Sequence, residues 1–311
     1  MKIAILVNYS ANHNRAEKRW NKIKEDILRE IPVDCIVMEF HPPFDTEECI
    51  RILIQEHGIE GVISAGGDGS VNRVLNAIMN LKHSGLPKIQ LGAIGLGSSN
   101  DFLKPVTTRV GGFPVRINVN QSSFADVGQV SFIKTDGQSS SLYFVVNASL
   151  GVTAEANLLF NKGDYFLNNM KSLSVKTAIL YAALRTIIRF RNKSIQVLYD
   201  RVEKTFNMTN VSVVKNPNIS GNFRYDQKIL PDDGYLGLNY CHDMNKIELL
   251  RTLMDLFKGR FSGKRKRVSA LVRQVKVDSP NFLALEVDGE VLLAKNIEFS
   301  ILPGAIRLAG N

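Results

Sequence analysis

Apolar positions along the first ~125 residues follow two alternating rhythms. Lys2 to Val7, Asp34 to Phe40, Ile59 to Ala65 and Ile89 to Ile94 are short apolar runs that read as strands. Between them the spacing turns helical. Ala16 to Glu30 carries Trp20, Ile23, Ile27 and Leu28 as an inward face, and Thr46 to His57 follows with Thr46 as its N-cap. Val71, Val74, Leu75 and Ile78 then stand at i, i+3, i+4 and i+7. Such alternation predicts a parallel sheet flanked by helices, with ligands at the carboxyl ends of its strands.

Beyond ~125 the rhythm changes. Short alternating runs appear at Leu142 to Asn147, Ser194 to Tyr199, Thr209 to Val214, Gly237 to Tyr240, Arg273 to Val277, Leu283 to Val287 and Ile297 to Leu302. Asp136-Gly137, Asp233-Gly234 and Asp288-Gly289 punctuate them as turns. The pattern predicts a mostly antiparallel β-sandwich, interrupted by helices of which Ser174 to Phe190 is the clearest. The expected division is an α/β domain over 1–125 and a β domain over 126–311, with the last few residues returning to the first.

A chain of 311 residues can build two cores, and 44% apolar with 22% charged residues excludes long disorder. Cys35, Cys49 and Cys241 lack metal-ligand spacing and fit buried thiols in a reducing cytosol. The five histidines form no spaced ligand set. No segment reads as a signal peptide, and the longest apolar tract, Ala178 to Ile188, is broken by Arg185 and falls short of the ~20 residues of a membrane span.

The net charge of +9 is concentrated: Leu256 to Val277 holds eight basic residues without an acid, and Tyr165 to Tyr199 six more. Such stretches suit an anionic membrane surface, at about 1 kcal/mol per basic residue near the headgroups. Phe257 and Phe261 are too little aromatic interleaving for nucleic acid. A solvated basic face is the plainer alternative.

Candidate chemistry begins at Gly66-Gly67-Asp68-Gly69-Ser70, between a strand and a helix. A glycine-rich turn at a helix N-terminus offers backbone N–H groups to a phosphate. Asp68 would repel a bare phosphate, which points to a divalent cation between them. A second turn, Gly95-Leu96-Gly97-Ser98-Ser99-Asn100-Asp101-Phe102, adds donors, hydroxyls and another carboxylate. Together the two turns would hold one triphosphate, with Asp68 and Asp101 sharing Mg2+. The plainer readings are a tight turn with left-handed glycines, an N-cap cluster over Ser98 to Asp101, and a hairpin turn at Asp288-Gly289.

Asn8-x-Ser10, Trp20, the two glycine turns, Asp126-Val-Gly, Asn147-x-x-x-Gly151, Pro231-Asp-Asp-Gly-Tyr-Leu236 and Val287-Asp-Gly-Glu290 stand in one order. That order resembles the diacylglycerol kinase catalytic family, in its soluble bacterial and YegS-like lipid kinase branch and more distantly the sphingosine kinases. The resemblance implies a Rossmann-like parallel sheet of the NAD kinase/diacylglycerol kinase kind, followed by a β-sandwich that completes the active and lipid sites. It places ATP against Asn8, Gly66, Gly67, Asp68, Gly69, Ser70, Gly97, Ser98, Ser99 and Asn100, in the cleft of a two-domain kinase. Catalytic Mg2+ falls to Asp68, Asp101 and Asp126, some of them through water. The general base and its helper fall to Asp288 and Glu290, and a structural cation to Asp232, Asp233 and the Tyr235 carbonyl. Tyr9, Asn12, Ser98-Ser99 and Arg73 depart from the residues usual in relatives, and none of these departures removes a metal ligand or the base.

The expected activity is transfer of the ATP γ-phosphate to a lipid hydroxyl such as that of diacylglycerol, by a cytoplasmic protein held peripherally at the inner membrane surface. Leu158, Leu159, Phe160, Tyr165 and Phe166 with the Val175 to Phe190 helix would line the lipid slot, if they are not plain core. A phosphotransferase on a soluble acceptor, such as an NAD or sugar kinase, is the first alternative. A non-catalytic nucleotide-responsive membrane module is the second. Homodimerisation through a strand edge stays open.

Overall fold

The computed structural model describes residues 1–86, 89–162, 167, 169–170 and 175–310. The chain forms two compact units, 1–126 with 304–311 and 127–303. Tyr165 and Phe166, two of the expected slot residues, lie outside the described residues.

In the first unit, strands β1 (Lys2–Asn8), β2 (Asp34–Phe40), β3 (Gly61–Gly66) and β4 (Gln90–Gly95) lie parallel in the order β2-β1-β3-β4. β3 and β4 are buried throughout and β1 from Ile3 onward, which is why they read as solid apolar runs. Helices α1 (Ala11–Asn14), α2 (Ala16–Glu30), α3 (Thr46–His57) and α4 (Asp68–His83) connect them. Trp20, Ile23 and Ile27 of α2 join Ile3, Ile5 and Val7 in one core. Leu28 is exposed, because its position is turned about 100° from Ile27 around the helix. The cap of α3 is Asp45 and not Thr46: the Asp45 carboxylate accepts from the Glu48 N–H.

Strands β5 (Arg109–Val110) and β6 (Phe113–Arg116) close the β4 end of this sheet, and β7 (Asn118–Lys134) leads into the second unit. That unit contains β8 (Ser139–Phe144), β9 (Asn147–Gly151), helix α5 (Val152–Lys162) and the helix Val175–Arg189. Strands β10 (Lys193–Tyr199), β11 (Val202–Val214), β12 (Asn218–Ile219), β13 (Phe223–Arg224) and β14 (Leu236–His242) follow. After the helix Lys246–Phe257 come β15 (Arg267–Val272), β16 (Gln274–Asp278), β17 (Leu283–Val287) and β18 (Glu290–Gly310). The end of β18 returns to the first unit, where Arg307 and Leu308 pair in parallel with Gln90 and Leu91.

The expected sandwich is a closed ring. Antiparallel pairs link β9 to β11, β11 to β10, β10 to β16, β16 to β18, β18 to β17, and β17 back to β9. Closure removes strand edges, whereas the alternation of inward apolar and outward polar residues is the same in a sandwich and a ring. Sequence periodicity therefore does not separate them. Leu150, Ile195, Val197, Val211, Val275, Leu285 and Phe299 share its core. β14 and β15 extend the sheet from β11, and β15 occupies part of a stretch that read only as basic.

Candidate functional site

The first cluster forms where β1, β3 and β4 end side by side. Asn8 Nδ2 donates to Ser70 Oγ at 3.0 Å, joining the end of β1 to the first turn of α4. The backbone N–H groups of Leu96 and Gly97 donate to the Gly66 carbonyl at 2.8 and 2.9 Å, so the second turn hangs on the first. A Cβ on Gly97 would stand 2.4 Å from the Gly67 Cα, and one on Gly66 would stand 2.4 Å from Ser70 Oγ. Gly66, Gly67, Gly69, Gly95 and Gly97 all lie outside the set of glycines with positive φ. None of them serves a left-handed turn; Gly67 and Gly97 serve close approach of backbone to backbone, and Gly66 and Gly95 make room for the side chains of Ser70 and Asn100.

Polar side chains fix the second turn. Asn100, at φ 50, accepts from the Gly97 N–H at 3.0 Å and donates to the carbonyls of Gly95 and Gly97. Arg19 of α2 donates to the carbonyls of Leu96 and Gly97 at 2.9 and 2.7 Å, turning them away from the strand ends. Burial, and secondarily Arg15, lowers the Arg19 pKa from its usual value. Ser98 is exposed and Ser99 half-buried. Asp68 Oδ1 accepts from the Phe102 N–H at 2.9 Å and straps the N-terminus of α4 to this turn.

The acids expected to hold Mg2+ are each engaged by the protein. Asp101 is buried and pairs with Lys104 at 2.7 Å. Asp126 is buried and accepts from the Gly304 N–H at 2.9 Å, where the chain re-enters the first unit. Among the described residues no three acids, histidines or cysteines converge into a metal cage. An ion that arrives on a triphosphate does not need one, since Mg2+ keeps several waters and takes one or two carboxylates plus phosphate oxygens.

The second cluster lies at the end of β17. Asp288, at φ 45 and 4% exposed, accepts at Oδ1 from the N–H groups of Val146 and Asn147 and at Oδ2 from that of Val145, at 2.8–3.1 Å. Two residues earlier stands Glu286, a group that sequence reasoning missed. It is fully enclosed and accepts from Asn147 Nδ2, Ser149 Oγ and the Gly289 N–H at 2.6–2.8 Å. Burial, aided by the Asp288 charge, pushes its pKa up to about 7 against those hydrogen bonds. The available signal was a lone acid in an otherwise apolar strand. Glu290 is exposed.

Two of the three residues expected to hold a structural cation, Asp233 and Tyr235, meet the ammonium of a lysine. Lys215 is buried, and its Nζ donates to Asp233 Oδ1 at 2.8 Å and to the Tyr235 carbonyl at 3.0 Å. Asp233 also accepts from the N–H groups of Leu230 and Tyr235. Its burial raises the carboxyl pKa, but Lys215 and these donors outweigh that and hold it below the ordinary value. Asp232 is exposed. The ammonium supplies the positive charge that a bound metal would otherwise bring.

The second unit also contains a pocket with a mostly apolar lining. Val152, Ala156 and Phe160 of α5, Ala182 and Ile187 of the next helix, and Leu253 of the third wall it. Tyr225 and Cys241 also line it. Phe160 lines this pocket, while Leu158 and Leu159 face a separate hollow beside Phe282 and Leu293.

Residues 2–130 match the diacylglycerol kinase catalytic domain family, and residues 147–310 match the YegS C-terminal NAD kinase beta sandwich-like domain. The chain is 23% identical over 252 residues to the Staphylococcus aureus (strain MSSA476) protein named "Putative lipid kinase SAS0691", covering 78% of this chain and 74% of that one. The strain MW2 protein "Putative lipid kinase MW0688" matches equally. Among solved structures, "A putative diacylglycerol kinase from Bacillus anthracis str. Sterne" superposes with a TM-score of 0.72 at 17% identity, over 100% of this chain and 97% of that one.

Proposed function

We propose that this chain, which belongs to the YegS-like diacylglycerol kinase family and as such is a phosphotransferase acting on an alcohol group, transfers the γ-phosphate of ATP to a lipid hydroxyl. The acceptor is diacylglycerol or a close relative, taken at an anionic membrane surface. The observation that carries this reading is the contact of the Gly67 and Gly97 backbones, where two turns meet at adjacent strand ends beside the N-terminus of α4.

There the helix N-terminus and the turn peptides receive the phosphates. Asn8 and Ser70 fix one side of the cradle, and Asn100 and Arg19 the other. Asp68, Asp101 and Asp126 would hold a Mg2+ ion, which would supply neutralisation of the phosphate charge. Phosphoryl transfer needs positioning and charge neutralisation more than covalent help, and the acceptor proton leaves late. Asp288 is the proposed base, with Glu290 its helper; three N–H donors hold the Asp288 carboxylate in one place. The apolar cavity behind α5 receives the acyl part of the substrate, which favours a lipid over NAD or a sugar.

The test is transfer of labelled γ-phosphate from ATP with Mg2+ into a total bacterial lipid extract. Wild type labels a lipid, while Asp68→Asn loses transfer as a carboxylate assigned to the metal ion, and Asp288→Asn loses it by at least about a hundredfold, as removal of a positioned acid–base group does. Because Asn at 288 turns an amide donor toward N–H donors, its melting is measured in parallel. Full turnover by either variant overturns that residue's role. Labelling of NAD or sugar with no labelled lipid overturns the acceptor.

A further inference from the structure

The proposed mechanism leaves Glu286 idle, although this buried acid shares its supports with the base. Asn147 meets both carboxylates: its N–H donates to Asp288 Oδ1 at 2.8 Å, and its side-chain amide donates to Glu286 Oε2, also at 2.8 Å. Glu286 Oε1 accepts from the Gly289 N–H at 2.7 Å, inside the turn that carries Asp288. The Gly289 carbonyl accepts in its turn from Asn161 of α5 at 2.9 Å. The two-residue turn between Val287 and Glu290 is therefore held through the peptides on either side of Gly289.

Nothing in these contacts asks for an acid. The partners of Glu286 are a backbone N–H, an amide and the Ser149 hydroxyl, all neutral. A glutamine of the same length would answer them, since a hydroxyl and an amide can each donate or accept. Across the hairpin, Glu286 stands opposite Val291 of β18. On β11, Ser212 lies opposite Ser149 and accepts from the Tyr225 phenol at 2.9 Å. Burial, with smaller help from the charges of Cys241 and Glu286, raises that phenol's pKa and keeps it neutral. Lys215, next to the Val214 that pairs with Asn147, is paired with Asp233. The charge that bears on Glu286 is that of Asp288, and with burial as the larger cause it pushes the Glu286 pKa up to about 7. What glutamate adds over glutamine is thus a charge that comes and goes near neutrality, two residues from the base.

Resting on Asp288 as the base of the reaction above, we propose that Glu286 is a positioning residue that sets the strength of that base. Ionised, Glu286 strengthens the hold of the Asp288 carboxylate on a proton; protonated, it leaves Asp288 the weaker base. The coupling is reciprocal: the Asp288 charge that raises Glu286 returns as a raised proton affinity of Asp288 once Glu286 is ionised. The proton concerned is the one that the acceptor hydroxyl gives to Asp288 as its oxygen bonds to the γ-phosphorus and ADP leaves. That proton moves late, when the strength of the base counts. A buried acid that weakens the fold when charged is a cost of the kind that functional sites carry.

The experiment is the pH profile of kcat between about pH 6 and 8, with ATP, Mg2+ and detergent-dispersed diacylglycerol at saturation, for wild type and Glu286→Gln. Carbon-13 titration of the Asp and Glu side-chain carboxyls of the full chain runs beside it. Wild type gains about three- to tenfold in kcat as Glu286 ionises, which is what one unit of added basicity gives a base that acts late. Glu286→Gln, the stand-in for the protonated acid, equals wild type at the acid end and lacks the rise. In wild type the Asp288 carboxyl signal takes a step as Glu286 titrates, and in the variant that step is gone. A constant ratio between variant and wild type across the whole range makes Glu286 a structural support and overturns the proposal. So does an Asp288 signal indifferent to Glu286. If no lipid is phosphorylated while the two carboxyl signals still move together, the kinase reading fails and the coupling of the two acids stands.

Discussion

In the first unit the candidate chemistry sits on two short turns, brought together at glycines and fixed by the side chains of Asn8, Arg19, Asp68 and Asn100. Gly67 and Gly97 touch, and the peptide groups they bring together are the proposed phosphate donors. In the second unit the working parts are buried charges joined across long stretches of chain: Asn147 meets Asp288 from 141 positions away, and Lys215 meets Asp233 where β11 ends. The contrast follows from architecture. Parallel strands leave their carboxyl ends together, so local turns suffice to build an anion site. A closed ring offers no such edge, and its irregular rim is held by ionic and hydrogen-bonded links between distant segments. Damage to the first unit should therefore be steric in character, and damage to the second electrostatic.

Lys215→Ala probes the electrostatic side most severely. It leaves Asp233 partly buried without its cation and the Tyr235 carbonyl without its donor. Breaking a buried pair from one side costs about 3–5 kcal/mol. Thermal melting of the second unit should fall accordingly, and Lys215→Arg should recover only part of it because the guanidinium fork does not fit a site built round one ammonium. With Lys215 present, a chelator should leave the melting of nucleotide-free protein unchanged. A clear drop on chelation would mean that a metal shares the site.

Glu286 gives the next largest effect and carries a sign. Its pKa stands near 7 in the folded chain against an ordinary 4.5, raised chiefly by burial. A carboxyl shifted upward contributes stability that is complete below the unfolded value and lost as pH rises through the folded one. The group should therefore make the fold less stable between about pH 4.5 and 7, by about 3 kcal/mol at most. Glu286→Gln should flatten that part of the stability profile relative to wild type in denaturant melts at pH 5 and pH 8. Equal slopes in the two proteins would show that Glu286 does not titrate over this range.

The same contrast sets what was legible in the sequence. The strands and helices of the first unit follow from apolar spacing because each is local and buried on a fixed face, and Leu28 and Thr46 were misplaced only by one helical position. The glycine turns were found for their residues but misjudged in their alternative: left-handed glycine was the plainer reading, yet none of these glycines adopts it. Nothing in the sequence says that residue 67 touches residue 97. In the second unit the strands were visible as period-two runs, but their closure into a ring was not. Glu286 is one polar residue in an apolar strand and Lys215 directly follows one, and the partner that justifies each lies elsewhere in the chain.

Gly97→Ala tests the steric side and carries the smallest expected cost in stability, about 1–3 kcal/mol, as overpacking does. The new methyl would lie 2.4 Å from the Gly67 Cα, and since that neighbour is backbone, the two turns must part. The methyl would also stand 2.9 Å from Asn100 Oδ1, but the Phe102–Asp68 strap is not removed by the change, so the first unit should still fold. What it should lose is the relation between the two sets of turn peptides. ATP binding followed by calorimetry should weaken by about tenfold or more, the equivalent of one good hydrogen bond to a charged group. Gly58→Ala is the control: its glycine is left-handed at φ 64 with open space around the Cβ position, so it should cost stability without touching nucleotide affinity. If both variants bound ATP like wild type, the meeting of the two turns would be a packing contact, and the nucleotide would have to be held elsewhere.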